Sequence, residues 1–152
     1  MIIVKQPMSL ISTFLWIGFV GAISFMEAWL KFRAEGITLP LGLGIGRLVF
    51  SALNKIEWVL AIAILLNQFF DFKSIQWKSL IGFSIPFLIL IVQTVWLLPA
   101  LDHRAELIIQ GQLLPPSKLH FYYVGMEVIK VVCLFIFGIS LFTLKTHLAA
   151  KG

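Results

Sequence analysis

Four stretches of this chain carry apolar residues almost without interruption, separated by short polar segments that contain glycine or proline. They run over about 8–32, 41–70, 79–98 and 119–144. A hydrocarbon layer about 30 Å thick is crossed by roughly 20 residues of helix, so each stretch predicts a transmembrane helix. The third is uncharged throughout, whereas the second and fourth carry charges toward their first halves. The predicted fold is all-α, a four-helix transmembrane bundle forming one domain over 1–152. Glu35-Gly36 and Pro40 mark the first turn, 71–78 the second, and Pro99, Gly111 and Pro115-Pro116 the third. Proline stops a helix because it lacks the N–H donor and crowds the preceding turn. Between Pro99 and Pro115, residues 102–109 predict a short amphipathic helix at the membrane surface, between helices three and four. Pro86 falls inside helix three, where a kink is expected and is tolerated in a membrane.

Composition agrees with this pattern. The chain is 60% hydrophobic and 12% charged, against roughly half and about a quarter in ordinary soluble domains. A water-soluble fold of 152 residues could not hide that much apolar surface. The lipid bilayer is its natural surrounding. The net charge of +5 arises from basic residues spread singly. Without a basic run, they read as borders of membrane spans, and nucleic acid is not an expected partner. The first apolar stretch has no charge from Met8 to Met26, longer than the roughly 7–15 apolar residues of a signal peptide. Its nearest cleavage-like sequence, Ala22-Ile23-Ser24, is weak, so the stretch reads as a retained helix. A single cysteine, Cys133, excludes an internal disulfide and any Cys-pair metal motif.

The polar residues inside the apolar stretches are not scattered. Four consecutive spans put both termini on one side, here the terminal end. Counting about 20 residues from that side, at about 1.5 Å per residue, places Asn54, Glu57, Glu127 and Lys130 in the opposite third. Glu27, Gln93 and Thr94 come to a similar level, and His103 and His120 flank the upper loop. The other half is expected to be almost purely apolar. On helix two, Arg47, Ser51, Asn54 and Trp58 recur at helical spacing with Glu57 at the edge of the stripe. On helix four, His120, Tyr123, Glu127 and Lys130 do the same. Charges facing lipid cost about 2.5–3.5 kcal/mol each near the bilayer centre, so both stripes are expected to face inward. The candidate binding residues are therefore Glu27, Arg47, Asn54, Glu57, Gln93, His120, Tyr123, Glu127 and Lys130. In the competing interpretation the same acids and bases pair only to fix helix register.

Other signals are weaker. Gly42 and Gly46 have the spacing by which small residues let membrane helices approach closely. They also sit in a glycine-rich run, but no strand precedes it as a phosphate loop requires. His103 and His120 with nearby acids raise the prospect of a metal or haem, although no His-x-x-x-His or Glu-x-x-His spacing is present. His147 lies in the C-terminal tail. No catalytic constellation stands out: the serines lack a neighbouring His and acid at a recognisable spacing, and Asp102-His103, adjacent in sequence, does not make a dyad. The stretch from Asp102 to Glu106 reads as a solvated helix.

Three places resemble a known group. Helix one ends Glu27-Ala28-Trp29-Leu30-Lys31-Phe32, similar to an Ala-Pro-x-x-Phe ending but with Trp29 in place of proline. Helix two opens with glycines followed by Arg47-Leu48-Val49-Phe50. Helix four opens with Lys118-Leu119-His120, similar to a Leu-His entry. The chain thus resembles the transmembrane-protein-205-like group of four-helix membrane proteins. That resemblance implies a four-helix membrane fold and no particular chemistry.

The leading expectation is a membrane protein that binds or moves a small solute or ion through a polar pocket in one leaflet half. The alternatives are an accessory subunit of a larger membrane complex and a haem- or metal-bearing redox protein; the cofactor is unknown. A lone four-helix unit is small for a transport path, which points to a homo-oligomer or a larger assembly. Lys5, Lys73, Lys78, Lys145 and Lys151 fall at the terminal end, against Lys31, Arg33, Arg47, Arg104 and Lys118 at the other. This near balance leaves a lean toward cytoplasmic termini in a bacterial inner membrane.

Overall fold

The computed structural model describes residues 2–4, 6–70 and 77–144. Lys5, Lys73, Lys145, His147, Lys151 and most of the second turn lie outside the described residues. Four helices form the bundle. Helix α1 spans Pro7–Arg33 and α2 spans Leu39–Phe70. Helix α3 covers 77–109, and α4 spans Leu119–Ser140. All four are long and apolar enough to cross a membrane. The all-α transmembrane bundle read from the apolar pattern is the fold. Two short strands, β1 (Ile2–Val4) and β2 (Phe142–Leu144), pair antiparallel.

The helices form a ring. α1 packs against α2 and α4, α3 packs along α4, and α2 meets α3 mainly through the stretch Leu98–Ile109. Gly36 and Gly111 adopt positive φ (80° and 85°) in the turns at the cavity end, a conformation glycine enters without steric penalty. Pro40 sits in the first turn of α2, where its missing N–H leaves no internal bond unmade.

The third helix differs from expectation. Pro99 does not end it, and residues 102–109 are helical but continue α3 rather than forming a separate element. The backbone has already left the ordinary ladder before the proline. Gln93–Leu97 form a π-helical turn in which the Leu98 N–H bonds Gln93 O, and Pro99 occupies the first turn of the following segment, Leu98–Ile109. A second π-helical segment, Gly21–Glu27, interrupts α1.

The terminal half encloses an apolar core of Trp16, Val20, Ala61, Ile64, Phe83, Leu90, Leu134, Phe137 and Leu141. Phe83 is its hub, with ring contacts to Trp16, Phe87 and Phe137. That half is less apolar than expected. Ser9, Ser12 and Thr13 of α1 and Gln68 of α2 are buried there. Asn67 donates to the Ser9 hydroxyl at 2.8 Å, and the Thr13 hydroxyl donates to the Ser9 carbonyl at 2.7 Å. The serines and threonine are small, so helices can approach closely there, whereas both amide atoms of Gln68 are buried without a hydrogen-bond partner. Gly138 of α4 faces Phe14 and Thr13 at such close range that a Cβ would lie 3.1 Å from the Phe14 ring.

Candidate functional site

Near the midpoints of α2 and α4, all four helices contribute to one buried polar cluster. Lys130 of α4 is its centre. Its ammonium donates to Glu57 of α2, to Gln93 Oε1 of α3 at 2.7 Å and to Glu127 Oε1 at 3.0 Å. Those three bonds use the three donors of a lysine. Glu57 Oε1 also accepts from the Trp16 indole of α1 at 2.7 Å, and Gln93 Nε2 donates to Glu127 Oε1 at 3.0 Å. Lys130, Gln93 and Glu127 are fully buried and Glu57 is 1% exposed. One oxygen, Glu127 Oε2, has no hydrogen-bond partner.

The spacing that predicted inward stripes explains this convergence. Glu127 and Lys130 lie three residues apart on one face of α4, so both reach the bundle axis. On α3 the π-helical turn carries Gln93 and Thr94, neighbours that both point to the interior network. π-turns inside α-helices are frequent at functional sites, where an extra residue re-aims a side chain. Thr94 uses its hydroxyl completely. It donates to Leu90 O at 2.8 Å and accepts from Asn54 Nδ2 at 2.9 Å and from the Trp58 indole at 3.0 Å.

Between this layer and the loop end lies a cavity of about 530 Å³, within the range of small-molecule pockets. α1 contributes Ala28, Lys31 and Phe32. α2 contributes Gly42, Leu43, Gly46, Arg47, Phe50, Ser51 and Asn54. α3 contributes Thr94, Leu98, Pro99, Leu101, Asp102 and Ala105, and α4 contributes His120 and Tyr123. The walls are mostly apolar and the polar groups few. Tyr123 belongs to both levels. It lines the cavity, packs edge-on to Phe50 with ring centroids 5.3 Å apart, and carries its hydroxyl near Glu127 and Ser24.

Two ion-pair systems frame the cavity. Arg47 bonds Asp102 through Nε at 2.6 Å and Nη2 at 3.1 Å, and also bonds Glu106, clamping the start of α2 to the end of α3. The 102–106 segment is therefore partly solvated, but its two acids are fixed by Arg47. Lys31 pairs with Glu27 at 3.2 Å and lies over the Phe32 and Phe50 rings at 5.5 and 5.4 Å. The small residues of α2 make room for this corner. A Cβ on Gly42 would sit 2.2 Å from the Phe32 ring, and one on Gly46 would sit 3.1 Å from the Lys31 ammonium. Close helix packing is thus what the Gly42–Gly46 spacing serves.

The sequence-predicted residues divide into three groups. Arg47, Asn54, His120 and Tyr123 line the cavity. Glu57, Gln93, Glu127 and Lys130 form the buried cluster at mid-bundle, deeper than the count along the helices implied. That count set the membrane boundary at Phe70, yet α2 has 32 residues, about 48 Å at 1.5 Å per residue, well beyond a 30 Å hydrocarbon layer. Glu27 stands apart, paired with Lys31. Sequence reasoning missed Trp16, Lys31, Phe32 and Phe50, because aromatic residues and a lysine near a helix end look like ordinary membrane-border residues. Among the described residues, no group of three or more His, Cys, Asp and Glu converges as a metal site would. His103 is exposed and does not line the cavity with His120. No protein-family model, no curated protein and no solved structure matches this chain.

Proposed function

We propose that this integral membrane protein binds a small amphipathic solute in the cavity and passes it across one half of a bacterial inner membrane, with its termini in the cytoplasm. The observation that carries this reading is the cavity itself: about 530 Å³, reached by all four helices, and seated on a charged cluster. Phe32, Leu43, Phe50, Leu98 and Leu101 offer an apolar body its contacts. Asn54, Thr94, His120 and Tyr123 offer a polar end its hydrogen bonds. A pocket of this make-up selects its ligand by shape, and its few polar groups fix orientation.

Native mass spectrometry from a mild detergent tests this. A reproducible non-protein mass is expected on the wild-type chain. It is expected to be lost in Ser51→Phe, which fills the cavity from an exposed position without touching the buried cluster. An equal bound mass on both proteins, or none on the wild type, would overturn the reading. One observation favours a second reading, an accessory subunit of a larger complex: the cluster ties all four helices together, as a purely structural network would. That reading expects a bare chain that co-purifies with another protein.

A further inference from the structure

The buried cluster does not balance its charge. Two carboxylates, Glu57 and Glu127, face one ammonium, Lys130. The elements packed around them add little. α1 brings the uncharged Trp16 and Ser24, α3 brings the uncharged Gln93, and α4 adds the Tyr123 hydroxyl. Of the lysines and arginines on the cavity wall, Arg47 is committed to Asp102 and Glu106 and Lys31 to Glu27. A lone negative charge would therefore be shut inside a bundle surrounded by lipid, and an uncompensated buried charge is strongly unfavourable.

Two buried oxygens beside the cluster can accommodate the missing positive charge. Glu127 Oε2 is buried without a hydrogen-bond partner, and so is Ser24 Oγ. The Tyr123 hydroxyl lies near both residues. A proton on the carboxyl would turn Oε2 into a donor toward Tyr123, whose own hydroxyl hydrogen is then free for Ser24. One added proton therefore neutralises the cluster, and the Tyr123 hydroxyl can bond both oxygens in that state. We infer that the Glu57–Lys130–Glu127 cluster is a proton-binding site, holding one proton that the two carboxyls share. The proton belongs to the pair rather than to either residue, as in other strongly coupled carboxyls. It comes from water, and Tyr123, which lines the cavity, connects the site to that side. A bound alkali ion is a poorer occupant, because a proton needs no space and the cluster is closed by side-chain bonds. The inference does not rest on the cavity holding a solute.

Infrared spectroscopy of the full chain in lipid vesicles at neutral pH, in H2O and D2O, provides the test. The carbonyl stretch of a protonated carboxylic acid is expected at one per chain and shifts on deuteration. It is expected to disappear in E57Q and in E127Q, each of which leaves one carboxylate facing one ammonium, and to persist in E27Q. No such band in the wild type, a band that survives both E57Q and E127Q, or a band lost in E27Q would overturn the inference. Should E57Q and E127Q fail to fold, carboxyl-labelled glutamate in an E27Q/E35Q/E106Q triple variant leaves Glu57 and Glu127 as the only labelled acids. A label-shifted band in that protein then supports the site, and its absence overturns it.

Discussion

The two halves of the bundle are held together differently. Around Phe83, side chains from all four helices fill a shared volume, and the contacts are ring faces and edges with no fixed donor or acceptor. One layer toward the cavity, specific bonds take over: Lys130 has three acceptors, and Thr94 has one acceptor and two donors. Trp16 joins the two layers, with its ring in the apolar core and its indole N–H on Glu57. In lipid the hydrophobic effect does little to drive one helix against another, so the apolar half is held by packing, while the polar layer is held by bonds that lipid cannot replace. Apolar packing tolerates substitution by shape, but a polar layer fails when a single member is removed, because the remaining members are left unsatisfied.

The sharpest test removes the hub of the polar layer. Lys130→Ala leaves Glu57 and Glu127 without their shared base and is expected to cost about 3–5 kcal/mol of stability, the usual loss when one partner of a buried ion pair goes. Reversible unfolding in mixed detergent micelles measures it. A loss as small as that of an apolar swap would erase the distinction between the halves. Thr94→Val comes next. It keeps the side-chain shape but takes the acceptor from Asn54 and Trp58, with an expected cost of about 1–3 kcal/mol in the same assay. The smallest effect is expected for Leu134→Met in the apolar core, below about 1.5 kcal/mol, because volume is kept and no polar atom is involved. If Leu134→Met were to cost more than Thr94→Val, packing precision rather than bonding would be the stricter constraint.

Much of this organisation could be read from the residues. Helical spacing already put Asn54 and Glu57 on the inner side of α2, and Tyr123, Glu127 and Lys130 on that of α4, because charge and lipid are incompatible over a full span. The partners were not readable. Arg47 belonged to the same stripe as Asn54, yet it bonds Asp102 and Glu106 of α3 rather than the buried cluster. Those acids came within its range only because Pro99 fails to stop α3, and the helix runs on beside α2. Lys31 gave no sign of lining a cavity, since a lysine at a helix end usually points to water. Its place between Phe32 and Phe50 depends on the close approach that Gly42 and Gly46 permit.

The sequence by itself determined that four helices form, roughly where they begin and end, and which of their faces turn inward. Those properties follow from local rules: the thickness of a bilayer, the period of a helix and the cost of a charge in lipid. The tertiary structure alone decided that Lys130 faces two carboxylates rather than one, that Gln93 joins them, and that a cavity opens beside Tyr123. Each of these depends on the depth at which separate helices meet, and Gln93 itself lies in a π-helical turn. A chain pattern carries periodicity along one helix, but it does not carry the offset between helices.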